Sequence, residues 1–320
     1  MRKSTTVWLV TAIVLILIGA GLFTAVLWEN NWDFGRLNTM NFKTETYTSF
    51  ESFADISIDT TTADITFLAA DGDCTKVVCY EMEKVPHSVQ FSGGKLIIED
   101  TDQRKWYEHI GINFSSPKIT VYLPKSEYGD LHIETTTGDI SIPAVFRFEN
   151  IGIDGTTGDI ECSASVTGTF AAKLTTGDIT VERANIGSLD LTSTMGDITV
   201  SNVTCMNDIH AKVSTGKLNL SKVNCSNLST DGTTGDISLN YVLADKQLSI
   251  SRTTGDVKFR DCDASDIHIR IDTGDVTGHL LSGKTFTAES GTGTVSVPGN
   301  SAGGTCVITA STGDIRISVG

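Results

Sequence analysis

Apolar and polar positions alternate in a unit that recurs along most of the chain. Counted from a glycine in each unit, the second position after it is always branched aliphatic, the third is always polar, and the fourth is apolar in nine of ten units. Alternation with a period of two residues is typical of a strand with one buried face. The pattern therefore predicts a short strand after each glycine. The ten marker glycines are Gly138, Gly158, Gly177, Gly196, Gly216, Gly235, Gly255, Gly274, Gly293 and Gly313.

A second strand is predicted before each marker glycine, because the seventh position before the marker is apolar in all ten units. Successive markers are 19 or 20 residues apart, and a repeat of this length is typical of a solenoid. One unit is too thin to bury its own apolar face, whereas stacked units pair each strand with its equivalent one turn away, at about 4.8 Å. We therefore predict an all-β fold, a parallel β-solenoid (single-stranded β-helix) with about 19–20 residues per turn.

The repeat is interrupted near its start. The stretch DISIDTTTADITF (55–67) matches the unit with Ala63 in place of the marker, and it predicts an eleventh copy. About sixty residues then break the period. Within them, SVQFSGGKLIIED (88–100) predicts a hairpin around its Gly-Gly pair, and a second strand pair ends with KITVYLP (118–124). We predict a β-hairpin insertion at about 68–130.

Two aromatic residues in this insertion are the candidate contacts with a partner. Trp106 and Tyr107 stand in an otherwise polar run, DQRKWYEH. Segments that interrupt a repeat often carry its function, and this pair could form an exposed contact. The favoured alternative is that the pair caps the first turn, because the end of a solenoid is an edge that must be covered.

The amino-terminal region contains no charge from Val7 to Trp28, a run of 22 residues. About 20 apolar residues are enough to cross a bilayer as a helix. Because Arg2 and Lys3 precede the run and acidic residues follow it, the positive-inside rule places the amino terminus in the cytoplasm. We predict a single-pass protein of the cell membrane, divided into a cytoplasmic tail (1–6), a transmembrane signal-anchor helix (7–28), a linker (29–46) and an extracellular solenoid domain (47–320).

The alternative for the apolar run is a cleaved signal peptide. The apolar core of a signal peptide normally has ~7–15 residues and precedes a small-x-small cleavage site. Here the run is longer, and Val-Leu-Trp follows Ala25. The sequence therefore favours the uncleaved anchor, and both interpretations place the rest of the chain outside the membrane.

The charge balance is clearly acidic, with 39 Asp and Glu against 24 Lys and Arg and a formal net charge of −15. Proteins that bind nucleic acid through the phosphate backbone need a basic surface. The composition therefore argues against DNA or RNA as a partner.

An aspartate directly follows the marker glycine in eight of ten units. Its side chain can accept hydrogen bonds from backbone N–H groups at the corner, or the stacked carboxylates could bind calcium. One aspartate per turn supplies few ligands and Lys217 interrupts the column, so we predict a structural ladder without metal or cofactor. The marker glycine before it is expected to adopt a positive φ. The ladder residues are Asp139, Asp159, Asp178, Asp197, Asp236, Asp256, Asp275 and Asp314.

The sequence predicts a non-catalytic protein. Polysaccharide lyases and hydrolases built on β-solenoids need paired carboxylates or a basic residue in a cleft, with aromatic residues that stack on sugars. The outward columns here carry mainly small polar residues, the six histidines are dispersed, and no phosphate-binding loop or nucleophile elbow occurs. A carbohydrate-active enzyme on a β-helix frame is the alternative function.

The seven cysteines leave at least one thiol unpaired. Cys205 and Cys225 each stand nine residues after a marker glycine, so we expect them in adjacent turns. That arrangement fits either a disulfide or two stacked, buried thiols. Both alternatives remain open from the sequence.

The stretch ITVYLPKSEYGDLHIETTTGDI (119–140) and the serial TTGDI units after it resemble a bacterial family of β-strand repeats. That family has an adhesin designation and no agreed biochemical function, and it occurs in envelope-stress proteins of Gram-positive bacteria. The resemblance covers about residues 50–320, and an amino-terminal membrane helix is common in the family. It implies a cell-surface, non-catalytic binding or scaffold protein and transfers no active-site residues. The expected partner is a cell-envelope component or a membrane or surface protein.

Overall fold

A computed structural model describes residues 3–32, 40–105, 115–124 and 127–320. Helix α1 (Lys3–Glu29) contains the stretch Val7–Glu29, which has 23 residues and is long and apolar enough to cross a membrane. The helix is apolar on all sides, and its side chains from Val7 to Val26 are exposed, whereas Leu27 is buried. A membrane span and a signal sequence are both compatible with such a helix.

The predicted parallel β-solenoid is confirmed, with about ten turns. Neighbouring turns pair in parallel, so that Leu131 lies beside Ile151 and Ile140 beside Ile160. These inward ladders form one continuous apolar core. The strands before the corners are β8 (Glu127–Thr137), β10 (Arg147–Thr157), β12 (Ser165–Thr176), β14 (Asn185–Met195) and β16 (Asp208–Thr215). Those after the corners are β9 (Ile140–Ile142), β11 (Ile160–Cys162), β13 (Ile179–Glu182) and β15 (Ile198–Cys205).

The later turns have longer strands that run from one corner to the next. They are β17 (Leu218–Thr234), β18 (Ile237–Thr254) and β19 (Val257–Thr273), followed by β20 (Val276–Leu280). At every corner the marker glycine has a φ between 121° and 153°, so the predicted positive φ is confirmed. A side chain has no room there: a Cβ on Gly177 would lie 2.0 Å from the carbonyl oxygen of Gly158.

The aspartates of the corners are joined by hydrogen bonds from turn to turn. In each case Oδ1 accepts from the backbone N–H of the equivalent residue in the next turn, at 2.9 Å from Asp139 to Asp159 and 2.8 Å from Asp159 to Asp178. The same contact recurs along the solenoid at 2.7–3.2 Å. For Asp256, the N–H of Asp275 is the main reason that the pKa of the carboxyl lies below its usual value.

The ladder is interrupted at Lys217, which has no carboxylate to offer the next turn. Beside this gap the side chain of Arg252 enters the corner and is only 3% exposed. Its guanidinium donates to the carbonyl oxygens of Val213 at 2.8 Å, Gly216 at 2.6 Å and Gly235 at 2.7 Å. A buried arginine therefore links the two turns that the carboxylate ladder leaves unconnected.

The order of the last turns differs from their order in the sequence. The final strands are β21 (Thr285–Thr292), β22 (Val295–Ser296), β23 (Thr305–Thr312) and β24 (Ile315–Val319). Strand β23 lies between β19 and β21, and β24 lies between β20 and β22, so the last unit is inserted before the preceding one. The inserted unit is the more apolar of the two. Ile308 and Ile315 are fully buried in it, whereas Val295 in the terminal turn is 39% exposed.

The amino-terminal end of the solenoid is built by the eleventh copy and the insertion. Strands β2 (Asp55–Thr62) and β3 (Asp64–Ala69) form the first turn, in register with β8 and β9, so the eleventh copy is confirmed. The insertion and the segment before it contribute β1 (Phe42–Ser49), β4 (Thr75–Met82), β5 (His87–Ser92), β6 (Lys95–Asp100) and β7 (Lys118–Leu123). Strand β1 begins within the range that the sequence assigns to the linker.

The insertion covers the first turn. Strands β6 and β7 pair in parallel with β2 and β3, respectively. Strand β5 forms the predicted hairpin with β6, and β4 pairs in antiparallel fashion with both β7 and β1. The described part of the insertion therefore closes the edge of the solenoid, as an exposed row of strand N–H and C=O groups requires.

Candidate functional site: an acidic groove above a buried polar cluster

The predicted contact pair, Trp106 and Tyr107, lies outside the described residues, so its role stays a prediction. The described residues of the insertion and of the first turns bring carboxylate, imidazole and thiol groups close together. Two features meet at the junction of the insertion and the first turns, one on the surface and one beneath it. Thr60 of β2 belongs to both of them.

The surface feature is a shallow groove of about 370 Å³, which we call the acidic groove. Register places Asp59 beside Glu134, Glu134 beside Asp154, and Asp154 beside Lys173. All four side chains point outward, since they alternate with buried neighbours on their strands. The lining residues are Asp59, Thr60, Thr61, Glu134, Thr135, Thr136, Asp154, Gly155, Thr156, Lys173 and Thr175.

The charges of the acidic groove are unbalanced. Three carboxylates face one ammonium group among its lining residues. The column continues onto the insertion, where Glu99 pairs with Asp59. Equivalent residues of neighbouring turns are about 4.8 Å apart, so these like charges repel one another. The groove is therefore suited to a cationic group and unsuited to an anionic polymer.

The buried feature is a polar cluster formed by Cys79, Glu81 and His87. Cys79 and Glu81 are fully buried and His87 is 3% exposed. Oε2 of Glu81 accepts from the backbone N–H of His87 at 2.6 Å and lies 2.8 Å from His87 Nδ1. Oε1 has no hydrogen-bond donor among the described residues, and the ammonium of Lys43 lies 3.4 Å away. Tyr47 fixes the backbone of His87 by donating to its carbonyl oxygen at 3.1 Å.

The other ring nitrogen of His87 connects the cluster to the first turn. Nε2 lies 3.3 Å from Oγ1 of Thr60, and the hydroxyl of Thr60 donates to Oδ2 of Asp100 at 3.4 Å. Asp100 also accepts from the backbone N–H of Thr61 at 2.6 Å. Hydrogen bonds thus link strands β2, β4, β5 and β6 at one point.

The order hydroxyl, imidazole, carboxylate is also that of a catalytic triad, but burial argues against this use. A nucleophile must reach a substrate. Thr60 is only 2% exposed and its proton is directed to Asp100. The thiol of Cys79 is equally inert, because burial, with a contribution from Glu81, raises its pKa to about 12. The cluster therefore serves either to stabilise the fold or to coordinate a bound ion.

The buried cluster could not be predicted from the repeat. Inward and outward positions were derived from the repeat, whereas Cys79, Glu81 and His87 lie in the segment without a repeat. A signal was present in the strand TKVVCYEM. The alternation in this strand places Cys79 and Glu81 on the inward face. A charged side chain at an inward position needs a hydrogen-bond donor or an opposite charge, because burial removes its water.

The two cysteines singled out by the repeat are free thiols in the structure. Cys205 and Cys225 are both buried, and Sγ of Cys205 lies 3.3 Å from the carbonyl oxygen of Gly187. Burial raises the pKa of Cys225 to about 12. All seven cysteines lie within the described residues, and six of them are buried. They pack as small apolar side chains.

Residues 53–207 and 204–320 match the model of the family Toastrack DUF4097, which covers far more than half of the chain. The chain belongs to the Toastrack DUF4097 family. This membership confirms the family that the TTGDI units indicate, while the Gram-positive origin stays a prediction. In this Toastrack protein the match starts at Phe53, next to the first turn, and extends to the carboxyl terminus.

Several crystal structures resemble this Toastrack protein. A candidate adhesin from Parabacteroides distasonis ATCC 8503 is 11% identical, with 88% of this chain and 98% of that chain covered and a TM-score of 0.46. A candidate lipid-binding protein from the same organism is 14% identical, with the same coverage and TM-score. A candidate adhesin from Parabacteroides merdae ATCC 43184 is 9% identical, with 87% and 97% covered and a TM-score of 0.46. No curated protein matches the sequence.

Proposed function

We propose that this protein is a membrane-anchored, non-catalytic binding protein of the cell envelope. In this proposal α1 spans the membrane with the amino terminus in the cytoplasm, and the solenoid lies outside. The acidic groove binds amine groups carried by a cell-envelope component. The resemblance of the TTGDI units to envelope-stress proteins supports a role in the envelope-stress response as a further part of the proposal.

The observation that carries the proposal is the fixed geometry of the acidic groove. Asp59, Glu134 and Asp154 stand on three consecutive turns, and their spacing is set by backbone pairing and not by flexible loops. A rigid array of charges loses little conformational entropy when a ligand binds. The carboxylates are exposed, so a ligand with regularly spaced amines can reach them without a conformational change.

The binding test uses the full chain in detergent and cell-wall fragments of the producing organism, which sediment on centrifugation. The test variant combines Asp59→Asn, Glu134→Gln and Asp154→Asn. The matched control combines Asp190→Asn, Asp231→Asn and Glu289→Gln. It removes the same charge from outward positions on other turns of the same solenoid.

We expect the wild type and the control to sediment with the fragments and the groove variant to bind about tenfold more weakly. Each exposed ion pair contributes about 0.5 kcal/mol, and 1.4 kcal/mol corresponds to a factor of ten. Binding should also weaken as salt rises, since the Debye length shrinks from about 10 Å at 0.1 M to about 3 Å at 1 M. Equal loss of binding in both triple variants would refute the groove as the site.

A further inference from the structure

We propose that Cys79, Glu81 and His87 form a binding site for a divalent transition-metal ion of the zinc type. This inference goes beyond the proposed binding function and does not depend on it. The thiol sulfur, a carboxylate oxygen and an imidazole nitrogen of these residues all lie within 4.8 Å of one another. Sulfur, nitrogen and oxygen ligands of this kind are those that zinc prefers in proteins.

The local structure explains how the three ligands meet. Cys79 and Glu81 are two residues apart on β4, so both project to the same, inward face. His87 is the first residue of β5, and its backbone N–H is held by the carboxylate of Glu81. Zinc bond lengths of about 2.0–2.3 Å place tetrahedral ligand atoms about 3.5 Å apart. The ligand atoms lie within 4.8 Å of one another, so each separation has to change by no more than about 1.3 Å to reach that geometry.

The carboxylate of Glu81 lacks full compensation for its burial. It is fully buried, and Oε1 receives no hydrogen bond among the described residues. The ammonium of Lys43 lies 3.4 Å from this oxygen, without hydrogen-bond geometry, on a side chain that is 36% exposed. Burial of a carboxylate is costly unless a cation or donors replace its water. A metal ion coordinated by Glu81 adds a buried positive charge to the partly exposed one of Lys43.

The hydrogen bonds around His87 orient its ring for ligation through Nδ1. Because the hydroxyl of Thr60 donates to Asp100, its oxygen is free to accept from Nε2–H of His87. Nδ1 then faces Oε2 of Glu81 at 2.8 Å, and two lone pairs at that distance require a proton or a metal ion between them. A histidine that binds metal with one nitrogen typically donates from the other to such a polar partner.

Charge balance also favours the site. The two positive charges of the ion are matched by the carboxylate of Glu81 and the thiolate of Cys79, with His87 neutral, while the ammonium of Lys43 also pairs with Glu45 at 3.1 Å. The thiol proton and any proton on Nδ1 leave to solvent. The bound ion joins β4 to β5, and through His87 and Thr60 it fixes the insertion onto the first turn.

The test uses the full chain in detergent after treatment with a chelator. We expect zinc to bind at one ion per chain, as measured by elemental mass spectrometry, and to raise the Tm by at least about 4 °C. Cobalt(II) added in place of zinc should give thiolate-to-cobalt charge-transfer absorption. Cys79→Ser should abolish this absorption, whereas Cys162→Ser, which alters another buried free thiol, should leave it unchanged.

Two results would overturn the site. One is a wild type that shows neither bound zinc nor cobalt absorption, which requires no variant to fold. The other is absorption that survives in Cys79→Ser and disappears in Cys74→Ser, which would assign the metal to the more accessible thiol. Loss of the zinc-dependent Tm rise in Glu81→Gln, with cobalt absorption altered, would support the carboxylate as a ligand.

Discussion

At the scale of single residues, the corner aspartates act on the backbone of the next turn. Each carboxylate accepts from an N–H group that no strand pairing satisfies, because the corner lies between two strands. Asparagine keeps this acceptor and alanine removes it. The ladder can therefore be tested without a large change in shape.

We predict that Asp178→Ala lowers the free energy of unfolding by about 1–2 kcal/mol, because the N–H of Asp197 loses its acceptor. Asp178→Asn should lose less than half of that amount, since its Oδ1 can accept the same hydrogen bond. Urea denaturation of the two variants and the wild type measures both values. Equal destabilisation by the two substitutions would show that the charge, and not the hydrogen bond, matters at this position.

Features that recur from turn to turn could be predicted, and residues that occur once could not. The positive φ of the marker glycines followed from ten copies of one corner. Arg252 and Glu81 each occur once. Arg252 occupies an inward position where the other turns carry small or apolar residues, and the space it fills exists because Gly232 has no side chain. A charged residue that departs from its column in only one turn does not show, from the sequence alone, which group binds its charge.

At the scale of elements, the order of the last two turns is the main departure from the simple repeat. Both units match the aliphatic columns, so the sequence is compatible with either order. Burial decides between them, because an interior turn is covered on two sides and a terminal turn on one. The unit with Ile308 and Ile315 gains more from the interior position than the unit with Val295.

We predict that amide hydrogens of β23 exchange with solvent more slowly than those of β21. In the structure β23 has a parallel partner on each side, whereas β21 has only β23 among the described strands. Hydrogen exchange followed by mass spectrometry on the full chain compares the two segments directly. If the turns were stacked in sequence order, β23 would form the edge and would exchange faster.

At the scale of the whole molecule, the chain combines an apolar amino-terminal helix, a solenoid and an insertion that closes one end of the solenoid. The period of 19–20 residues and the uncharged run were sufficient to predict the solenoid and the apolar helix from the sequence, while the membrane span stays a prediction. The arrangement of the insertion was predicted only as a hairpin and a strand pair. The acidic groove was not predicted, although its lining residues all stand in repeat units, because acidic residues in one outward column do not by themselves indicate a concave surface.

We predict that the full chain of 320 residues stays in the membrane pellet after alkaline extraction. The apolar stretch Val7–Glu29 should anchor it, and intact mass measurement establishes whether the helix is retained. The double substitution Ile16→Lys and Leu17→Lys should release the chain, since each charge at a helix centre costs about 2.5–3.5 kcal/mol on insertion. The matched control is Ile16→Leu. A soluble chain that is shorter by roughly 25 residues would instead indicate a cleaved signal peptide.

We propose that binding takes place at the acidic groove, beside the insertion, and not along the whole solenoid. Thr136 and Thr253 occupy the same exposed corner position in different turns, and only Thr136 lines the groove. A photo-crosslinking amino acid placed at each position in the full chain, in cells of the producing organism, tests the claim directly. We predict adducts with an envelope component at position 136 and few at position 253. Equal adducts at both positions, or more at 253, would contradict it.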